Sequence, residues 1–339
     1  MSLSMSTTLP QTGQRLVFLG KQQVKLENFE IQPPKKGEVL VQTHKTLMST
    51  GTENIVYNRL FDPGTHWDNW VKYPFYPGYL SVGNVIAVGP DVTNVKVNDR
   101  VASRTSHASH VTLPASDVFP IPDGLSDENA VWFGLAKITW HGAHVANYHL
   151  GDSVLIIGTG PIGQMSIRWA RAAGATSIIA VDAVPNRMKY AQAGGATATI
   201  TAHIGEAHHA ILAANHGDLP RVVIDSTGNA AVFSTALTLA ARFGTVVILG
   251  DTGTPANQHL TSDVIMRGLH IVGAHDGHGT AEWNTATISN LFFNLAVSGR
   301  FHLDGLNSHT FTPDKCAEAY ATPNRDRANT MGIIFDWSK

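Results

Sequence analysis

The sequence predicts an α/β protein in which a mainly β domain precedes a doubly wound parallel sheet. Three observations carry that prediction. The chain has 339 residues, more than one hydrophobic core normally serves. Near residue 150 its pattern changes from short β-type runs, broken by Gly, Pro and Asn, to apolar runs that alternate with helical patterns. The composition, 43% apolar and 15% charged with 31 glycines, suits a compact α/β chain and not a disordered, fibrous or disulfide-rich one.

From Arg15 to about Pro122 the predicted strands are short, as at 38–43 and 82–88. After that, apolar runs at 153–157, 177–181, 222–224, 245–249 and 270–272 read as strands covered by helices on both faces. Their alternation with helices requires crossovers and hence a parallel sheet. Ile162, Met165, Trp169, Ala170 and Ala173 share one side of a helix that stops at Gly174. Beyond Gly273 the pattern loosens into a helix over 283–298 and a tail, residues 331–337, expected to return to the first domain. No repeat, low-complexity segment or flexible linker is evident. The expected division is 1–135 with 275–339 for the mainly β domain and 136–274 for the parallel sheet, with a long helix and a cleft shared between them.

Charge and cysteine usage narrow the function classes. A formal charge of −2, with no dense basic run, argues against nucleic acid as a partner. The single cysteine, Cys316, allows neither an intrachain disulfide nor a set of thiolates for a metal. Residues 1–8 carry no basic and apolar secretory pattern and are set aside as a leader. No stretch approaches the roughly 20 apolar residues that cross a bilayer. The expectation is a cytoplasmic protein acting on a small molecule, away from membranes.

The strongest motif is Gly158-Thr159-Gly160-Pro161-Ile162-Gly163, between a predicted strand and a predicted helix. In such a Rossmann turn the first glycine allows the tight bend, the second lets backbone approach a pyrophosphate and the third lets helix and strand pack closely. The helix N-terminus offers free amides to the phosphates. Asp182, about 20 residues on at the end of the next strand, is placed to accept from the adenosine ribose hydroxyls and to repel a 2′-phosphate. NAD is therefore favoured over NADP, although nearby Arg187 softens the preference. Later strand ends, with Ser226, Thr227, Gly250, Asp251 and Ala274, lie where doubly wound sheets bind ligands. The alternative is a glycine turn that only joins a strand to a helix.

Taken over nearly its whole length, the chain resembles the medium-chain dehydrogenase/reductase family, which pairs an N-terminal GroES-like catalytic domain with a C-terminal Rossmann domain. The resemblance rests on Asn98-Asp99-Arg100-Val101, on Pro77-Gly78 followed by Gly83-Asn84-Val85 and Val88-Gly89, on Gly158 to Gly163, and on the tail 332–337. More narrowly, Ser49-Thr50-Gly51-Thr52-Glu53 and Tyr76-Pro77-Gly78-Tyr79 are similar to the zinc-lacking branch that includes bacteriochlorophyllide dehydrogenase. Zinc members carry a cysteine at the position matched by Ser49, a His-Glu pair at Tyr79-Leu80, and a cysteine or glutamate at Gly134. None of these residues here offers the thiolate, imidazole or carboxylate that zinc uses, so the resemblance implies a site without zinc. The cysteines of the structural zinc lobe also have no counterpart. His107 and His110, in the shortened segment, are read as loop or cleft-wall residues.

Hydride transfer is the nicotinamide's own chemistry, so the protein must position both partners and stabilise or protonate the substrate oxygen. The resemblance points to residues around the vacated metal position: Ser49, Thr52 and Glu53, Tyr79, and Lys137 with His141. Four residues apart, Lys137 and His141 share one helix face. The Lys137 ammonium can stabilise an alkoxide or enolate, and Tyr79 can donate a phenolic proton. The alternatives are a solvated Lys137, a packed Tyr79 and a structural His141. Glu53 is either a base or a cap on a helix beginning near Asn54. The rings of Tyr57, Phe61, His66, Trp67, Trp70 and Tyr73 either wall an apolar pocket, fill the gap left by the missing lobe, or form a subunit contact.

These residues predict a zinc-independent NAD(H)-dependent oxidoreductase of an alcohol/carbonyl pair. The alternatives are an NAD(P)H-dependent reductase of quinones or activated alkenes and a non-catalytic dinucleotide-binding protein. A homodimer is a family expectation.

Overall fold

The computed structural model describes residues 9–339, so the reading of residues 1–8 lies outside it. Its first sheet has seven strands. In spatial order they run Asn307–Phe311, Gly332–Asp336, Glu38–Met48, Ser81–Val88, Arg100–Ser103 and Val118–Pro120, with His110–Pro114 also paired to Glu38–Met48. The C-terminal tail returns to the first domain, as expected: Ile333 lies opposite Met48 and Asp336 opposite Lys45, antiparallel. A hairpin, Thr12–Gly20 with Gln23–Glu30, stands beside this sheet.

The second sheet has six strands, all parallel, in the order Ala198–Thr201, Ser177–Asp182, Ser153–Ile157, Val222–Asp225, Thr245–Ile248 and His270–Gly273. Chain order reverses between Ser153–Ile157 and Val222–Asp225, which creates a crevice beyond their carboxyl ends. Ala198–Thr201 was not foreseen. Its sequence alternates Thr with Ala and Ile at the sheet edge, and only one partner strand covers it, so it lacks the apolar run that marked the others.

The helix Phe133–Val145 joins the two halves. It is buried on nearly every face, as a helix wedged between two layers must be. It packs along the helix Pro161–Ala172, and Trp169 Nε1 donates to the carbonyl of Ala136 at 2.8 Å. One continuous core holds Leu47, Leu80, Trp132 and Phe133 together with Met165, Trp169, Phe292 and Phe301, which couples the domains mechanically. The predicted helix 283–298 is observed as Thr285–Val297, closed at its start by a reciprocal Asn284–Thr287 capping box.

Among the aromatic residues of the segment preceding Pro77-Gly78, Tyr57 and Trp67 are buried with Phe18, Tyr320 and Phe335. Phe61 stacks on Trp67, and Trp70 meets Phe75 edge-on. Tyr57 and Trp67 thus belong to the first domain's own core, with Phe61 and Tyr73 packed against it, whereas Trp70 is 51% exposed. Among the described residues no helix is long and apolar enough to cross a membrane.

Candidate active site

The glycine turn is built as its sequence requires. Gly158 has φ +81°, and a Cβ there would lie 2.6 Å from Thr227 Cγ2. A Cβ on Gly163 would lie 1.9 Å from the carbonyl oxygen of Gly158, so only glycine lets the helix start this close to the strand. Gly160, the residue before Pro161 at the helix start, is different: the nearest atom to a Cβ there is Arg187 Nη1 at 4.0 Å. The open space lies where backbone must approach a diphosphate. Ser226 Oγ donates to the carbonyls of Ile157 and Gly158 at 2.9 and 2.7 Å, fixing the rim of the crevice. Ile162 is half-buried against the interdomain core. These residues fit a dinucleotide.

Asp182 stands at the end of its strand and accepts from the amides of Thr159 and Val184 at 2.7 and 2.9 Å and from Arg187 Nη1 at 3.1 Å. Burial pushes its carboxyl up, but the Arg187 charge and the two amides outweigh burial and hold it below the usual carboxylate range. Across the mouth of the cleft, a Cβ on Gly250 would lie 2.3 Å from the amide nitrogen of Gly228. Ala274 donates its amide to the carbonyl of Ile248 at 3.0 Å. Asp251 pairs with His66 Nε2 at 2.8 Å, and the Asp62 amide donates to the carbonyl of Gly253 at 2.8 Å. The first domain thus grips the rim of the second.

Lys137 and His141 share one face of the interdomain helix. The solvated reading of Lys137 is corrected: it is 7% exposed, and its Nζ donates to the main-chain carbonyl and Oδ1 of Asp276 at 2.6 and 2.9 Å. The other oxygen of Asp276 accepts from Arg104 Nη2 at 2.5 Å. The Arg104 guanidinium lies over the ring of Tyr79, 4.7 Å from its centroid. Tyr79 Oη donates to Thr52 Oγ1 at 3.4 Å. Burial pushes the Tyr79 phenol up, with the Ser49 and Thr52 hydroxyls opposing, so it stays a proton donor. His141 is 1% exposed, and its Nε2 has no hydrogen-bond partner. Burial, and then the Lys137 charge, push its imidazole down to about 4, so it is neutral near pH 7. Ser49, Thr52, Tyr79, Lys137 and His141 therefore lie around one place, with Arg104 and Asp276 among them.

Glu53 faces away from that place. It is buried, and its oxygens accept from the Ser49 amide at 2.8 Å, His107 Nε2 at 3.0 Å and the Tyr320 hydroxyl at 2.5 Å. Burial and the Glu53 charge keep the Tyr320 phenol protonated. The cap reading is corrected: the helix is Thr52–Asn58 with Gly51 as its N-cap and no side-chain cap bond, so Glu53 lies inside the first turn and does not cap a helix beginning near Asn54. His107 was expected in a loop or cleft wall. It does lie in a loop but is fully buried there, with Glu53 on one side and Thr46 Oγ1, at 2.7 Å, on the other satisfying both ring nitrogens, whereas His110 opens the strand His110–Pro114 and is not a loop residue. His110 is half-buried beside Ser109.

At Gly134, which the resemblance matches to a zinc-ligand position, a Cβ would lie 2.1 Å from Leu80 Cδ2 and 2.7 Å from Arg104 Nη1. Leu80 and Arg104 thus fill the space a ligand side chain at 134 would use, and Ser49, Tyr79 and Leu80 supply no zinc-type donor set. The residues present do not fit zinc there. Among the described residues no three His, Cys, Asp or Glu side chains converge as a metal site would need. Arg104 and Asp276 escaped sequence reasoning. Neither sits in a motif, and they are 172 residues apart; the only trace was the polar run after the last strand, His275-Asp276-Gly277-His278.

A glycine-cradled crevice at the switch point of a parallel sheet, facing a β domain across a polar cleft, defines a two-domain dinucleotide-binding fold. Residues 35–123 match the family model for the alcohol dehydrogenase GroES-like domain, and residues 161–292 match that for zinc-binding dehydrogenase. The chain belongs to the medium-chain dehydrogenase/reductase family. It is 24% identical to an L-threonine 3-dehydrogenase of Bacillus licheniformis, over 91% of this chain and 95% of that protein. An alcohol dehydrogenase from Escherichia coli CFT073 complexed with NADH superposes with a TM-score of 0.81 at 20% identity, covering 96% of this chain and all of that one. A structure from Sinorhizobium meliloti 1021 bound to NADP gives 0.80 at 20% identity, covering 96% of this chain and 100% of that one.

Proposed function

We propose that this protein is an NAD(H)-dependent oxidoreductase that interconverts an alcohol and a carbonyl compound, and that side chains handle the substrate oxygen without zinc. The enzyme class follows from the family, and the open backbone at Gly160, at the head of a helix on the sheet's switch point, is the observation that carries the cofactor assignment. A nicotinamide bound there supplies the hydride chemistry. Gly158, Gly160 and Gly163 bring the backbone to the diphosphate. Asp182, charged and held by the Thr159 and Val184 amides, disfavours a 2′-phosphate even with Arg187 beside it.

At the substrate end, Lys137 keeps one N–H beyond the two it gives Asp276, placed to stabilise a developing alkoxide. Tyr79 holds a proton for a substrate oxygen and is oriented by Thr52 and by the Arg104 guanidinium on its ring. Zinc independence is supported by the donor chemistry at Ser49, Tyr79 and Leu80 and by the filling of the space beside Gly134. The domain division 1–135 with 275–339 and 136–274, and a cytoplasmic site of action, complete the reading.

We also propose a homodimer. The strand His270–Gly273 is an open edge of the parallel sheet, and Ile265 and Met266, which shortly precede it, are 88% and 78% exposed.

Fluorescence titration with NADH and NADPH, followed by nicotinamide-absorbance assays on aldehydes, ketones, enones and quinones, tests the proposal. Tighter binding of NADH and turnover of alcohol/carbonyl pairs are expected. Preference for NADPH would overturn the role given to Asp182. Stoichiometric zinc whose chelation abolishes turnover would overturn the side-chain mechanism, and cofactor binding without turnover of any substrate would favour a non-catalytic dinucleotide-binding protein.

A further inference from the structure

The charge balance of the cleft is uneven. Arg104, from the first domain, and Lys137, from the interdomain helix, bring two permanent cations to one place. Asp276 is the carboxylate that both of them touch. Glu53, the acidic group next along the Ser49 loop, is walled off with His107 and Tyr320, and Asp251 is paired with His66 at the mouth. His141 adds no charge near pH 7. Among the groups that touch one another here, two cations thus share a single carboxylate in a partly desolvated cleft, where an anion is favoured far more than in bulk water.

Hydrogen-bonding capacity is left over as well. An ammonium has three donors and a guanidinium five. Lys137 uses two, on Asp276. Arg104 makes one short bond to Asp276, and its Nη1 reaches the carbonyl of Gly134 only at 3.5 Å. One helical turn from Lys137, His141 Nε2 is buried with no partner at all, a cost that is ordinarily avoided unless a ligand or water meets the atom.

Asp276 also shows how an anion sits here, with Arg104 on one carboxylate oxygen and Lys137 on the other. It belongs to the segment between the strand His270–Gly273 and the helix Thr285–Val297, which contains Gly277 and Gly279 and therefore bends easily.

We infer that the substrate of this site carries a carboxylate, which binds to Arg104 and Lys137 in competition with the carboxylate of Asp276. The class is a hydroxy acid and the corresponding oxo acid. The inference rests on the oxidoreductase reading above and deepens it by naming the substrate's second functional group. The carboxylate of Asp276, one oxygen to each cation, is the geometry that a substrate carboxylate would reproduce.

The test uses the full-length protein and a matched pair of alcohols, 3-hydroxybutyrate and its methyl ester, with NADH bound for the affinities, because that complex cannot oxidise an alcohol, and with NAD+ as the hydride acceptor for turnover. Affinities come from calorimetry and turnover from nicotinamide absorbance. A carboxylate meeting two cations is expected to bind about tenfold or more tightly than the ester. Arg104→Gln should abolish that preference. Asp276→Asn, which removes the internal competitor, should strengthen 3-hydroxybutyrate binding and raise the ratio of acid to ester affinity above that of the wild type, and it keeps the test decisive if Arg104→Gln fails to fold.

Equal affinity for acid and ester in the wild type, or an Asp276→Asn variant that binds the acid no better, overturns the inference even if neutral alcohols turn over normally. Stronger competition by inorganic phosphate than by acetate likewise overturns the carboxylate assignment. Selective binding of 3-hydroxybutyrate, lost in Arg104→Gln but without turnover of any alcohol, upholds the anion site and overturns the oxidoreductase reading instead.

Discussion

His141 shows how a single buried side chain reports on its surroundings. Its imidazole is pushed from an ordinary 6.5 down to about 4, first by burial and then by the neighbouring Lys137 charge. Between those values the unfolded chain binds a proton that the folded one refuses, so folding stability must fall as pH drops from about 6.5 through about 4. His141→Gln removes that term. Urea midpoints measured across this range are expected to show the wild type losing stability relative to the variant; a constant offset between the two would contradict it. Glu53 and Lys137 illustrate the limits of residue type as a guide. The sequence offers Glu53 as a base or a cap and Lys137 as an oxyanion stabiliser or a solvated residue, yet Glu53 is enclosed by Ser49, His107 and Tyr320 while Lys137 reaches the cleft.

At the scale of the element, the turn from strand Ser153–Ile157 into helix Pro161–Ala172 divides its glycines by task. Gly163 is pressed against the Gly158 carbonyl, whereas Gly160 faces open space. Gly163→Ala should therefore push helix from strand and cost about 1–3 kcal/mol, weakening NADH binding as well. Gly160→Ala should leave the thermal midpoint unchanged and still weaken NADH binding by about tenfold or more, because its methyl enters the path of the diphosphate. Calorimetric melting and NADH titration of the pair separate the two tasks. If Gly160→Ala bound NADH normally, the cofactor would have to lie elsewhere. This element was legible in the sequence because its chemistry is local: a bend, a close approach and a helix start are all set within six consecutive residues. The edge strand Ala198–Thr201 was not, since its identity comes from the strand it pairs with.

Over the whole molecule, legibility follows distance along the chain. The two-domain plan, the parallel sheet and the returning tail could be read because each depends on a pattern within a dozen residues. Arg104 with Asp276, and Glu53 with His107 and Tyr320, could not, because only the completed fold brings them together. Assembly is testable at this scale: light scattering should give about twice the chain mass of 36.4 kDa, and Ile265→Asp should return it to the monomer value, whereas a monomeric wild type would sink the proposed pairing. The crowding at Gly134 constrains more than that one position. A side chain placed there would press on Leu80 Cδ2 and, with Leu80 moved aside, on Arg104 Nη1. Because Arg104 is also tied to Asp276 and stacked on Tyr79, room for a longer side chain at 134 comes only at the expense of those two contacts, so this position on the interdomain helix and the charge pair across the cleft are constrained together.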